Sequence, residues 1–102
     1  MKTWSEAIRE WQRETFGTVA PTRSYGRMLE ELKEFRDKAE GMSNNPEVAE
    51  EAADVVITLA AFVATLGLDL ATEVEKKMAI NRARKWRVDG DGCGYHIKEE
   101  KG

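Results

Sequence analysis

At 102 residues, 41% hydrophobic and 34% charged, the chain has room for one small folded domain, expected to span 1–102, with much exposed helix. A formal net charge of −3 gives no basic footprint for nucleic acid, so no nucleic-acid partner is expected. Cys93 is the single cysteine, which excludes an intrachain disulfide and makes a reducing cytoplasm the expected compartment.

In chain order, Thr3-Trp4-Ser5-Glu6 reads as a capping box. Trp4, Ile8, Trp11 and Thr15 follow at helical spacing until Gly17 stops the first helix, with Trp11 expected in the core. The start lacks the apolar stretch of a signal peptide. A loop over 17–24, holding Pro21, leads to a second helix expected from about Arg23 to Glu40. Its apolar stripe is Tyr25, Met28, Leu29, Leu32, Phe35 and Ala39, and Gly41 is its stop.

Ser43-Asn44-Asn45-Pro46 opens a third helix, with Asn45 as the expected cap and Pro46 in the first turn, running to Gly67. Its apolar stretch from Val55 to Leu68, about 14 residues, falls short of the roughly 20 needed to span a bilayer, so no membrane partner is expected. Asp69 can cap a fourth helix extending to about Trp86. The glycine-rich remainder predicts a turn at Gly90-Asp91-Gly92 and a short strand around Tyr95 to Lys98. Four helices on short loops make an all-α bundle.

The third helix carries an anomaly. At about 100° per residue, Glu47, Glu50, Glu51 and Asp54 share one narrow arc, and Thr58 and Thr65 continue the line. Nearly every other direction is apolar, so this helix is expected to be buried except along that stripe. The second helix supplies Glu30, Glu31 and Glu34, also within about 100°. Carboxylates brought face to face repel and take up protons unless a cation joins them. Two bland alternatives stand beside that reading: a solvated acidic face on the second helix, whose acids lie away from its apolar stripe, and an ion pair from Asp54 to Lys77 or Arg84.

Taken together, Glu30-Glu31-Leu32-Lys33-Glu34, sixteen residues, then Glu51-Ala52-Ala53-Asp54 resembles the E-E-x-x-E…E-x-x-D signature of the MazG-like, all-α nucleoside triphosphate pyrophosphohydrolases. The wider series R-E-W-Q-R-E-T-F-G, L-E-E-L-K-E-F, A-E-E-A-A-D-V-V-I and K-K-M-A-I-N-R-A-R-K-W is similar to the branch described as the dATP/dGTP diphosphohydrolase N-terminal-type domain. The resemblance implies hydrolysis of a (d)NTP to the monophosphate and pyrophosphate with Mg²⁺, or with Mn²⁺ in its place. It implies Glu31, Glu34, Glu51 and Asp54 as metal ligands, with Glu30 as a further ligand or the group that orients water. It also implies that Lys77, Asn81 and Arg84, at i, i+4 and i+7, contact the phosphates, a task suited to a point charge and a guanidinium fork.

Trp4 is a candidate for the base, whereas His96 lacks the partners a zinc site needs. A third helix this apolar is hard to cover within one small chain, so a homodimer or homotetramer is expected. Two other readings are carried: a phosphoribosyl-ATP pyrophosphohydrolase, and a non-catalytic helical adaptor.

Overall fold

The hydroxyl of Thr3 accepts the Glu6 N–H at 3.0 Å, which opens helix α1 (Trp4–Phe16); Gly17, at φ 73°, closes it. The computed structural model describes residues 1–88 and 94–96. Three further helices follow: α2 (Pro21–Glu40), α3 (Asn45–Thr65) and α4 (Leu70–Ala83). Two short strands, β1 (Trp86–Val88) and β2 (Gly94–His96), pair antiparallel with Trp86 opposite His96. The fold is the expected all-α bundle with a small hairpin appended.

Several boundaries differ from those expected, each for a local reason. Helix α2 begins at Pro21, because proline's fixed φ and missing N–H suit the first helical position. No side chain caps it; the Ala20 carbonyl takes the Arg23 and Ser24 N–H groups instead. The cap of α3 is Asn44 rather than Asn45, since its carboxamide oxygen reaches the Glu47 N–H at 3.0 Å while Pro46 has no N–H to offer. Helix α3 stops at Thr65, and Gly67 at φ 77° turns the chain, so that α4 leaves at 99° to α3. Helix α4 ends at Ala83, not near Trp86. Arg84 is already extended, and the Trp86 indole N–H donates to the Asn81 carbonyl at 2.7 Å, satisfying a last-turn acceptor. The expected strand lies at Gly94–His96 and has found a partner in β1; Lys98 and the turn at 90–92 lie outside the described residues.

Packing centres on an antiparallel α2–α3 pair, with α1 laid on α3 and α4 touching α3 and α1 but not α2. Ser24, Met28, Glu31, Phe35 and Lys38 recur at alternating spacings of four and three, and all are at least partly shielded. This is the stripe by which α2 meets α3. The expected apolar stripe is split: Met28 and Phe35 turn inward, while Leu29 and Leu32 remain 46% and 45% exposed. On α3 the polar line of Glu51, Asp54 and Thr58 faces into the helix pair rather than out to water, and Thr58 is buried.

The expectation that α3 is otherwise covered fails for the single chain: Val56 and Leu66 are exposed, and only Thr58 and Ala60 along α3 are fully buried. Trp11, expected in the core, is 51% exposed; it meets Phe16 edge-on and borders an open groove with Ile8 and Ile57, because α1 is covered on one side only. The radius of gyration, 16.9 Å, exceeds the roughly 13 Å of a compact domain of this length. Among the described residues no single helix is long and apolar enough to cross a membrane.

Candidate metal centre

Where α2 and α3 run side by side, Glu31 comes from the middle of one helix, and Glu51 and Asp54, one turn apart, come from the other. Antiparallel pairing places one carboxylate oxygen of each within 4.8 Å of the other two, and all three residues are half-buried. Sequence spacing put Glu51 and Asp54 on one face; only the rotation of α2, which turns Glu31 inward beside Met28 and Phe35, completes the trio.

Electrostatics show how poorly the protein alone satisfies this arrangement. Oε2 of Glu31 and Oε2 of Glu51 are buried with no hydrogen-bond partner among the described residues. Burial lifts the Glu31 carboxyl above its ordinary range, reinforced by repulsion from Glu34, a carboxyl–carboxyl hydrogen bond to Glu34, and the charges of Asp54 and Glu51. Glu51 is raised by desolvation first, then by Glu34 and Asp54, with Lys38 pulling the other way. No ion pair reaches Glu31, Glu51 or Asp54 among the described residues.

A group of hard oxygen donors, two of them without a partner among the described residues, fits a hard divalent cation such as magnesium or manganese, which would remove the repulsion and satisfy the orphaned oxygens together. Glu31, Glu51 and Asp54 are the side chains that could hold it. Glu34 is exposed yet close enough to perturb both glutamates, whereas Glu30 is exposed and lies outside the trio.

Two side chains outside the expected site residues border the centre; one of them, Thr58, is expected from spacing only as a continuation of the polar line of α3. Lys38 lies 3.9 Å from Glu47 and is the cation felt by Glu51. Thr58, buried, donates its hydroxyl to the Asp54 carbonyl at 2.9 Å within α3. Each stands at helical spacing from a cluster acid, Lys38 seven residues after Glu31 and Thr58 four after Asp54, but neither carries a motif.

The remaining candidates lie elsewhere. Lys77 and Asn81 are on α4, which makes no contact with α2, and Arg84 falls beyond the helix end, so the expected three-residue face reduces to two. Asp54 makes no ion pair with Lys77 or Arg84 among the described residues, which removes that alternative account of its position. Trp4 is half-exposed at the start of α1.

No protein-family model matches the chain. A dATP/dGTP diphosphohydrolase of Salmonella phage PMBT28 is 37% identical over 90 residues, which are 88% of this chain but only 29% of that protein. The chain thus spans under a third of that relative. A dATP/dGTP diphosphohydrolase of Cyanophage S-2L is 35% identical over 81 residues, covering 79% of this chain and 67% of its own length. The solved structure of a Cyanophage S-2L MazG-like pyrophosphohydrolase, bound to dGDP and three catalytic Mn²⁺ ions per active site, is similar with a TM-score of 0.63 and 27% identity, covering 94% of this chain and 91% of the other.

Proposed function

The chain belongs to the MazG-like pyrophosphohydrolase family, and from that premise we propose that it hydrolyses deoxynucleoside triphosphates, dATP and dGTP among them, to the monophosphate and pyrophosphate. The observation that carries this reading is the carboxylate trio of Glu31, Glu51 and Asp54, with two buried oxygens that no group among the described residues satisfies. Glu31, Glu51 and Asp54 are the metal ligands in this proposal, and Glu34 completes the set from the next turn of α2. Mg²⁺ held there, or Mn²⁺ as in the structural neighbour, would supply charge neutralisation on the phosphates and activation of water.

The chain's own part is placement. Two helices fix the ligands on rigid backbone, and the half-buried setting strengthens their pull on a cation relative to open water. Water adds to the α-phosphorus, the bond to the bridging oxygen breaks, and pyrophosphate leaves; exposed Glu30, beside Glu31, orients that water and accepts its proton. Lys77, Asn81 and Arg84 contact the phosphates, with Trp4 near the base. Helix α4 packs on α3, which carries Glu51 and Asp54, and a homo-oligomer is part of this proposal. The exposed Val74, Met78 and Ile80 of α4 and Val56 and Leu66 of α3 give such an assembly its apolar surface.

Release of pyrophosphate from the eight common (d)NTPs, measured with Mg²⁺, with Mn²⁺ and with chelator, tests the reading. Metal-dependent turnover that favours the purine deoxynucleotides is expected; no release from any of the eight with either metal overturns it.

A further inference from the structure

Beside the carboxylate centre lies a cleft of about 780 Å³. That volume is within the roughly 300–1,000 Å³ range of small-molecule sites. Arg23 and Arg27 line it from α2, Arg9 and Arg13 from α1, and Thr58 and Ala61 of α3 form part of the floor. Its position relative to the trio follows from helical spacing. Arg27 and Arg23 stand one and two turns before Glu31 on the exposed flank of the α2 stripe, and Thr58 stands one turn after Asp54 on α3. The polar seam between the two helices therefore changes sign within about 5–6 Å, from carboxylates to guanidinium groups.

No Asp or Glu lines the cleft, and none of the four arginines makes an ion pair among the described residues. Four exposed guanidinium groups thus line one concavity with no acid among its lining residues. An anion of several charges supplies the missing counter-charge, and arginine forks bind phosphate oxygens in pairs. We propose that the cleft receives the pyrophosphate half of the nucleotide, with Arg23 and Arg27 as its principal contacts and Arg9 and Arg13 closing over it from α1. This rests on the proposed hydrolysis and adds where the departing group lies: the α-phosphorus sits at the metal centre, and the β- and γ-phosphates extend along the seam into the arginine cleft. Negative charge grows on the departing pyrophosphate as the bond breaks, so guanidinium groups fixed there act on the transition state as well as on binding.

The test is binding of inorganic pyrophosphate to the full chain by calorimetry, with Mg²⁺ present, for wild type, Arg23→Gln, Arg27→Gln, the double variant and Arg27→Lys. Each glutamine variant should weaken pyrophosphate binding by about 10- to 100-fold, as expected for a lost charged hydrogen bond, with partial recovery in Arg27→Lys. Divalent-ion stabilisation of the double variant, read from its melting temperature, should match wild type, showing that fold and metal centre are intact. Unchanged pyrophosphate affinity in the double variant overturns the inference. So does an altered preference among bases with pyrophosphate affinity retained, since that would put the nucleoside in the cleft. If wild type binds pyrophosphate through these arginines but hydrolyses no (d)NTP, the reaction falls while the anion site stands; if wild type turns over and the variants bind pyrophosphate normally, the reverse holds.

Discussion

Two clusters of polar side chains lie in this small bundle, and they are built on opposite terms. At the junction of the α1 and α4 N-termini, Thr3 and Ser5 donate to the Asp69 carboxylate. Asp69 in turn accepts from the Thr72 N–H at 3.2 Å and hydroxyl at 2.8 Å, and the buried Ser5 hydroxyl takes the Ala71 N–H at 2.9 Å. Hydrogen bonding, led by Ser5, holds the Asp69 carboxyl below its ordinary range. Between α2 and α3 the acids instead face one another, and burial and mutual repulsion hold Glu31 and Glu51 above theirs. An acid that the fold stabilises as an anion serves the fold; acids that it destabilises are held for something the chain itself does not supply.

The comparison breaks first on activity. Asp54→Asn or Glu31→Gln is expected to lower pyrophosphate release from dATP or dGTP by at least about 100-fold, since outer-shell changes alone cost 10–100-fold at metal sites. Ser5→Ala, at the other cluster, should leave turnover per folded molecule near wild type. If Asp54→Asn and Glu31→Gln both retain full activity, the trio is not the metal centre.

Stability should move the opposite way. Ser5→Ala strands the Ala71 N–H in a buried position and removes a donor to Asp69, an expected loss of about 1–3 kcal/mol and at least about 4 °C in Tm. Glu31→Gln in chelator removes a charge from a repulsive group, so its Tm should rise above wild type, and added Mg²⁺ should narrow or reverse that difference. A lower Tm for metal-free Glu31→Gln would show that the trio contributes to the fold after all.

How far these differences were readable beforehand follows from individual residues. Asp69 as a cap, the four helices and the acid motif were all visible from local spacing, because caps and helical periodicity are properties of adjacent turns. The inward rotation of Glu31 was not. The apolar stripe of α2 pointed elsewhere, and only packing, which turns Met28 and Phe35 to α3 and leaves Leu29 and Leu32 exposed, decides the matter. The end of α4 was missed because Trp86-Arg87-Val88 pairs with Gly94–His96, and strand pairing leaves no mark on helical periodicity. The arginine cleft joins α1, α2 and α3 and has no motif at all. Exposure of Trp11 reflects a chain whose apolar faces outnumber its own helices' capacity to cover them.

Acid titration in chelator offers a finer contrast. Glu31 and Glu51 are raised above 4.5, so the folded state binds their protons before the unfolded chain does. Their repulsion is relieved, and stability gained, as pH falls through the folded values towards 4.5. Asp69 is lowered from 3.8; the stability it confers is present above that value and lost as pH falls through its folded pKa. Wild-type Tm should therefore rise before it falls on acidification. Removing both glutamate charges by Glu31→Gln with Glu51→Gln should abolish the rise and keep the fall, and a rise that survives in that double variant would locate it elsewhere.

The smallest expected effect tests Lys38, a cation at the edge of the acidic cluster. Lys38 lies 3.9 Å from Glu47, with both side chains largely exposed, so the pair is worth no more than about 1 kcal/mol and Lys38→Gln should barely change Tm. Its influence on Glu51 is separate: Lys38 lowers that carboxyl against burial, Glu34, Asp54 and Glu50. Without it, Glu51 holds its proton to higher pH, and a proton competes with a cation for the same oxygen. Mg²⁺ titrations followed by Tm should thus show Lys38→Gln close to wild type at neutral pH and weaker as pH approaches 4.5 from above. Equal weakening at every pH would mean that Lys38 acts through packing of the α2 C-terminus and not through the charge of Glu51.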